Sequence, residues 1–178
     1  MRVVCFAGAS GVGKTTLIES VIPAMKAQGL RVSVVKHAHH ELELDQPGKD
    51  TYRHREAGAF EVVAASSQRL VLMREFERPA QLSVHQMIAE LYDGVDWVFV
   101  EGFKHSNLLK LELLRGASQP HCLYPDDPYV VAVVCDDPSS LPEATVRPVL
   151  SLNDAGAVAQ WLVHNGDRFD YDPAMFDD

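Results

Sequence analysis

A glycine-rich segment near the start of the chain has the residue types and spacing of a phosphate-binding loop. Residues 8–15 read GASGVGKT and match the P-loop pattern G-x-x-x-x-G-K-[ST]. Glycines lack a Cβ atom, so backbone N–H groups can converge on phosphate oxygens, and a following helix adds the positive end of its dipole. We predict that Lys14 reaches the β- and γ-phosphates and that the Thr15 hydroxyl binds Mg²⁺. The predicted phosphate-binding residues are Gly8, Ser10, Gly11, Val12, Gly13, Lys14, Thr15 and Thr16.

An acidic residue at the end of another apolar segment is the candidate partner of this loop. A bound Mg²⁺–triphosphate needs a carboxylate that follows a buried strand and holds the metal directly or through water. Glu101 follows the apolar residues 97–100 and precedes Gly102, which permits close approach. Glutamate is longer than the commoner aspartate at such a position. We therefore expect Glu101 to contact Mg²⁺ indirectly or to orient a water molecule.

A histidine-rich segment, residues 37–50, follows the apolar run at residues 32–36 and contains His37, His39 and His40. Three imidazoles within four residues can bind a transition metal, with Asp45 as an added oxygen ligand. Imidazoles can equally donate to phosphate or to a substrate anion, and a solvated loop is a third interpretation. Asp45 is also a candidate for placing Mg²⁺. The residues alone leave these interpretations open.

Alternating apolar strands and helices must position these side chains. Strands are predicted at residues 2–7, 32–36, 61–65, 70–73, 97–100, 109–113, 129–135 and near Val149. The predicted helices begin after the glycine-rich loop, near Asp50, after the Ser83–Gln86 capping box, and near Ala155. This order predicts an α/β fold of the P-loop NTPase type, a doubly wound and mostly parallel sheet with helices on both faces. The carboxyl ends of its strands form the ligand crevice.

Two local features complete the predicted domain. Leu109, Leu111 and Leu113 alternate with Lys110 and Glu112, which predicts a half-exposed strand. Residues 1–164 are expected to form one nucleotide-binding domain. Residues 165–178 are expected to be an acidic C-terminal tail, either loose or docked on a neighbour.

Charge and composition exclude several classes of partner. The 178 residues carry a formal net charge of −9, which argues against a nucleic-acid or anionic-membrane surface. We find no apolar stretch long enough for a membrane span and no signal peptide at the first residues. The three cysteines form no C-x-x-C pair, which predicts free thiols in a reducing compartment. A cytoplasmic protein is expected.

The motifs together resemble one family, the molybdopterin-guanine dinucleotide biosynthesis adapter proteins, or MobB. The resemblance covers roughly residues 2 to 135 and depends on motifs in a fixed order. These are the glycine-rich loop at residues 8–15, K-H-x-H-H at 36–40, D-x-P-G-K-D at 45–50 and E-G-F-K at 101–104.

This resemblance implies a GTP-binding homodimer that assists the guanylyltransferase of the MobA type, which attaches GMP to molybdopterin. It implies slow GTP hydrolysis, and phosphate and Mg²⁺ binding by the glycine-rich loop. Asp45 and Glu101 are then the acidic partners at the metal and at the reacting phosphate. His39 and Lys104 would face nucleotide or pterin. The chain has no Asn/Thr-Lys-x-Asp signature, so the choice of GTP over ATP depends on the resemblance alone.

Two other functions are compatible with the same residues. One is a metal-delivery GTPase, similar to a nickel chaperone, in which His37, His39 and His40 are metal ligands. The other is a small-metabolite kinase in which Glu101 or Asp45 is the base for a substrate hydroxyl.

Overall fold

In a computed structural model, which describes residues 1–38, 44–116 and 122–175, eight strands and four α-helices follow the predicted order. The strands are β1 (Arg2–Ala7), β2 (Val32–Lys36), β3 (Glu61–Ala65), β4 (Leu70–Arg74), β5 (Trp97–Glu101), β6 (Lys110–Leu114), β7 (Val130–Cys135) and β8 (Val149–Ser151). The helices are α1 (Lys14–Lys26), α2 (Asp50–Glu56), α3 (Val84–Ala89) and α4 (Ala155–His164). The capping box predicted at Ser83 and Gln86 is present at the start of α3.

Six of the strands form one sheet in the order β2-β5-β1-β6-β7-β8. Every pairing in this sheet is parallel, so all six carboxyl ends lie along the same edge. The central strands are near-continuous apolar runs because helices or loops cover both of their faces. The predicted fold class is confirmed. The strand order also brings the residues after β1, β5 and β6 together, since β1 lies between β5 and β6.

Two apolar clusters secure the sheet from opposite sides. On one face α1 and α4 pack side by side over Phe6, Trp97 and Phe99. On the other face α3 packs Val84 and Ile88 against the sheet. Burying a large apolar side chain stabilises a fold by about 1.5–3 kcal/mol. This rigid core fixes the positions at which the strands end.

The prediction of a half-exposed strand at residues 109–113 is wrong. Lys110 is 0% exposed and Glu112 is 1% exposed, so β6 is buried along its whole length. Buried polar groups are stable only when they have partners, and both side chains have them. Lys110 Nζ donates to Ser106 O at 2.6 Å and pairs with Asp127 Oδ2 at 2.9 Å.

Glu112 fixes the loop that follows β6. Its two carboxylate oxygens accept from the backbone N–H groups of Leu123 and Tyr124, at 2.6 and 2.7 Å. Burial raises the pKa of Glu112, whereas the two backbone hydrogen bonds act in the opposite direction. The polar residues of β6 therefore face protein partners on the same side of the strand, instead of solvent.

The chain divides into two compact units, each with most of its contacts within itself. The first unit comprises Met1–His37 and Ser83–Asp178, and the second comprises Ala38–Leu82. In it α2 packs against β3, and β3 pairs antiparallel with β4. The directly opposed pairs Val63–Leu72 and Ala65–Leu70 alternate with other pairs, so these four apolar residues share one face of the hairpin.

The C-terminal segment packs on its own chain. A 3-10 helix at Gly166–Phe169 places the buried Phe169 ring 5.5 Å from the Trp97 ring. Arg2 pairs with Asp167 and Asp170 beside it. The tail is thus docked through residue 170, and it is not loose there. Among the described residues, no helix is long and apolar enough to cross a membrane.

Candidate functional site

The glycine-rich loop links the carboxyl end of β1 to the first turn of α1. Gly8 has φ 136°, and a Cβ atom there would lie 2.6 Å from Leu113 O, so only glycine fits. Gly13 has φ 106° and is the N-cap residue of α1. Val12 is buried in the main core and anchors the loop between these glycines. The loop conformation therefore follows from the packing of β1, β6 and α1.

The first turn of α1 has the features of an anion site. No side chain among the described residues caps this helix, and its first turn contains no acidic residue. Its N-terminal N–H groups and the positive end of its dipole thus stay available to a ligand. Ser10, Gly11, Thr15 and Thr16 are exposed around it. A phosphate group fits this chemistry.

Lys14 lies across the loop to which it belongs. Its Nζ donates to Gly8 O at 3.0 Å and to Ala9 O at 2.7 Å. Burial is the largest effect on the pKa of Lys14 and lowers it, while Glu101 acts to raise it. The positive charges of Lys104 and Lys36 also act to lower the pKa of Lys14, so each of these two ammonium groups lies within electrostatic reach of it.

The carboxylate of Glu101 connects the sheet edge to the loop. Glu101 Oε1 accepts from Thr15 Oγ1 at 2.5 Å, and Oε2 pairs with Lys36 Nζ at 3.4 Å. Thr15 and Glu101 come from different elements, α1 and β5, and the parallel β1–β5 pairing brings them together. A hydroxyl and a carboxylate are the hard oxygen donors that Mg²⁺ prefers. The predicted Thr15 and Glu101 pair therefore fits a magnesium ion beside a phosphate.

The chain after Glu101 contains backbone strain. Phe103 has φ 50°, in the left-handed region that non-glycine residues rarely adopt. Its ring stacks on His37 at 4.7 Å between centroids, and His37 N donates to Glu101 O at 3.1 Å. Strained residues are concentrated at functional sites, where the surrounding structure holds them. The E-G-F-K motif and the start of the histidine-rich segment thus meet at the ends of β5 and β2.

A cation that the sequence interpretation missed lies on the other side of the loop. Arg115 directly follows β6, and a Cβ atom on Gly13 would lie 3.2 Å from its Nη2. Asp136, which directly follows β7, accepts from Gly116 N at 3.1 Å. A single arginine after a strand matches no motif. Arg115 reaches the loop because β6 is the neighbour of β1 in the sheet, and this strand order is visible only in the structure.

The two remaining predicted site residues are Asp45 and His39. Asp45 belongs to the second unit, where its Oδ1 accepts from Thr51 Oγ1 at 2.9 Å and its Oδ2 pairs with Arg55 Nη1 at 3.2 Å. Burial is the largest single effect and raises its pKa, but the hydrogen bonds from Thr51, Arg55 and Gln46 together lower it. His39, like His40, lies outside the described residues.

No group of three metal-ligating side chains occurs within residues 1–38, 44–116 and 122–175. The transition-metal interpretation depends on His39 and His40, so it stays a prediction.

Comparison with known proteins identifies the family. A family model described as MobB, molybdopterin guanine dinucleotide synthesis protein B, matches residues 3–136. The adapter protein of molybdopterin-guanine dinucleotide biosynthesis from Escherichia coli strain K12 is 40% identical over 161 residues, which cover 89% of each chain. Its counterpart from Haemophilus influenzae is 37% identical over 163 residues, covering 88% of this chain and 87% of the relative.

The fold agrees with a solved structure. Bacillus subtilis MobB superimposes with a TM-score of 0.71 at 27% identity, covering 92% of this chain and 97% of that protein. The matched region contains the glycine-rich loop and both strands that hold Glu101 and Arg115 in place. The chain belongs to the MobB family.

Proposed function

We propose that this MobB-type adapter of molybdopterin-guanine dinucleotide biosynthesis binds GTP with Mg²⁺ and presents the nucleotide to a guanylyltransferase. The observation that supports it most directly is the Thr15–Glu101 contact of 2.5 Å beside Lys14 and the uncapped first turn of α1. This arrangement offers N–H donors and an ammonium for phosphate and two oxygen ligands for the metal. When bound, Mg²⁺ would neutralise charge on the β- and γ-phosphates.

Hydrolysis by this site is expected to be slow. Glu101 is the candidate base, yet its two oxygens are engaged by Thr15 and by Lys36. A general base must be free to accept a proton from the attacking water. Asp45 is the other predicted acid, and Thr51 and Arg55 engage it in the same way. We therefore infer that binding and presentation of nucleotide, instead of turnover, are the main activity.

The proposed partners follow from the relatives and from the surface. The relatives are named adapter proteins, which supports a partner enzyme. The proposed partner is a MobA-type guanylyltransferase, and molybdopterin is a further proposed ligand. The second unit exposes Val63, Leu70 and Leu72 on one face of its hairpin, which supports a homodimer. The three cysteines are free, in keeping with a reducing compartment such as the cytoplasm.

Isothermal titration of the full chain with GTP and Mg²⁺ tests this proposal. Lys14→Ala removes the ammonium that neutralises the phosphates, so we expect binding to fall below detection while the far-ultraviolet circular dichroism stays unchanged. Lys26→Ala, in the last turn of the same helix, is the matched control and should bind like the wild type. Unchanged affinity in Lys14→Ala would refute the proposed site. Competition with ATP tests the choice of base.

A further inference from the structure

We propose that Arg115 is a second phosphate-binding residue, which donates from the side of the loop opposite to Glu101. The inference rests on the proposed function, because it adds a ligand contact to the same nucleotide site. It assigns a direct role to a residue outside every motif of the chain. The ligand is the phosphate chain of the nucleotide, bound by a planar guanidinium that can donate two parallel hydrogen bonds.

The guanidinium of Arg115 lies beside the last glycine of the glycine-rich loop. A Cβ atom at Gly13 would lie 3.2 Å from Arg115 Nη2 and 3.8 Å from its Cζ. The arginine head therefore packs directly over the backbone of Gly13, the residue before Lys14. In this loop pattern the backbone N–H groups around the last glycine face the phosphates. A Cβ atom at Gly13 would require the guanidinium to shift by a few tenths of an ångström.

The backbone that presents Arg115 is fixed by its neighbours. Leu114 ends β6 in register with Cys135, the last residue of β7. One step further, Asp136 Oδ1 accepts from Gly116 N at 3.1 Å, and Gly116 has φ 66°. This hydrogen bond joins the residue directly after Arg115 to the residue directly after β7. Asp136 is thus a positioning residue, whose carboxylate holds the backbone beside the arginine.

The charge of Arg115 has no protein partner in the described part of the chain. No ion pair or side-chain hydrogen bond there engages its exposed guanidinium, although Asp and Glu outnumber Lys and Arg by 25 to 16. In contrast, Arg55 is paired with Asp45 and Glu75, and Arg74 with Glu61. An unpaired guanidinium beside an uncapped helix N-terminus is suited to an external anion.

The test compares nucleotide affinities of Arg115 variants of the full chain by isothermal titration. Arg115→Gln removes the charge and the bidentate donor, and Arg115→Lys keeps the charge only. We expect Arg115→Gln to weaken GTP and GDP by about ten- to a hundredfold, as for loss of a charged hydrogen bond. Arg115→Lys should regain part of this loss. The ratio of GTP to ATP affinity should not change, because both nucleotides have the same phosphates.

Arg168→Gln is the matched control. It makes the same change of charge at an exposed arginine, in the 3-10 helix that packs near the start of β1, at the opposite edge of the sheet. It should bind GTP like the wild type. Thermal unfolding of each variant verifies that it is folded.

Two results would overturn the inference. One is an affinity of Arg115→Gln for GTP within about twofold of the wild type while Lys14→Ala no longer binds. The other is a changed ratio of GTP to ATP affinity, which would indicate that Arg115 contacts the base. If Lys14→Ala also bound normally, the proposed nucleotide site itself would be wrong, and the inference would fail with it.

Discussion

At the scale of single residues, Glu101 is the group on which the candidate site depends most. Its carboxylate contacts two groups. One is the Thr15 hydroxyl, which can bind a metal, and the other is the Lys36 ammonium, which can bind an anion. A Mg²⁺ ion entering between Thr15 and Glu101 would compete with the Thr15 hydrogen bond. The site is thus expected to respond to magnesium through Glu101.

Glu101→Gln should reduce the effect of Mg²⁺ on nucleotide binding. The amide keeps an oxygen that can accept from Thr15, but it lacks the negative charge that attracts the metal. We expect the gain in GTP affinity on adding Mg²⁺ to fall by about tenfold, with affinity in EDTA unchanged or improved. Titrations with and without Mg²⁺ measure this difference. Glu19→Gln, an exposed change on α1, is the control, and equal Mg²⁺ dependence in all three proteins would contradict the prediction.

Sequence patterns could identify some of these residues and not others. The glycine-rich loop was predictable because each of its positions has a backbone or ligand requirement that restricts the residue type. Glu101 was predictable because an acid after an apolar run stands out. Arg115 has no such signal, since its role depends on β6 lying next to β1, and strand order cannot be read from periodicity. Arg115 lies beside Gly13 because β6, which precedes Arg115, is the neighbour of β1, which precedes the glycine-rich loop.

At the scale of elements, β6 combines a buried position with charged side chains. Alternation of polar and apolar residues usually indicates a strand with one solvent-facing side. Here Lys110 and Glu112 face other parts of the chain, Asp127 and the N–H groups of Leu123 and Tyr124. Those partners come after β6 in a segment without periodicity. The pattern therefore predicted the strand correctly and its environment wrongly.

Lys110→Met should destabilise the fold strongly. The thioether side chain fills similar space, but Asp127, whose side chain is 20% exposed, loses its ammonium partner at 2.9 Å. Breaking such a pair costs about 3 kcal/mol, because one charge stays uncompensated. Denaturant unfolding measures the loss. The double variant Lys110→Met, Asp127→Asn removes both charges and should recover more than half of it, since the amide can still accept from Tyr129 N. A loss below about 1 kcal/mol in the single variant would contradict this account.

At the scale of the whole molecule, the distribution of charge separates the site from the rest of the surface. The chain has a net charge of −9, yet Lys14, Lys36, Lys104 and Arg115 all lie at the carboxyl edge of the parallel sheet. A negative protein repels polyanions in general, while a local cluster of cations focuses attraction on a small ligand. This distribution favours a free nucleotide over a nucleic acid as the proposed ligand of this edge.

The hairpin of the second unit leads to a prediction about assembly. Val63, Leu70 and Leu72 share one face of the β3–β4 ribbon and are 56%, 68% and 45% exposed. Isolated two-stranded ribbons are marginally stable in water, and apolar faces of this kind usually bind another surface. We expect a second copy of the chain to cover this face, because a symmetric dimer would pair the same apolar side chains with each other.

Leu72→Glu should therefore convert the proposed dimer into monomers. Two-fold symmetry would bring two added carboxylates into one interface, where each loses hydration without gaining a partner. Sedimentation velocity of the full chain measures the mass. Val146→Glu makes the same change at a fully exposed apolar residue in the first unit and should leave the dimer intact. Unaltered GTP affinity in Leu72→Glu would show that the nucleotide site is complete within one chain. A Leu72→Glu protein that sediments as a dimer, or a wild type that sediments as a monomer, would rule out this hairpin face as the interface.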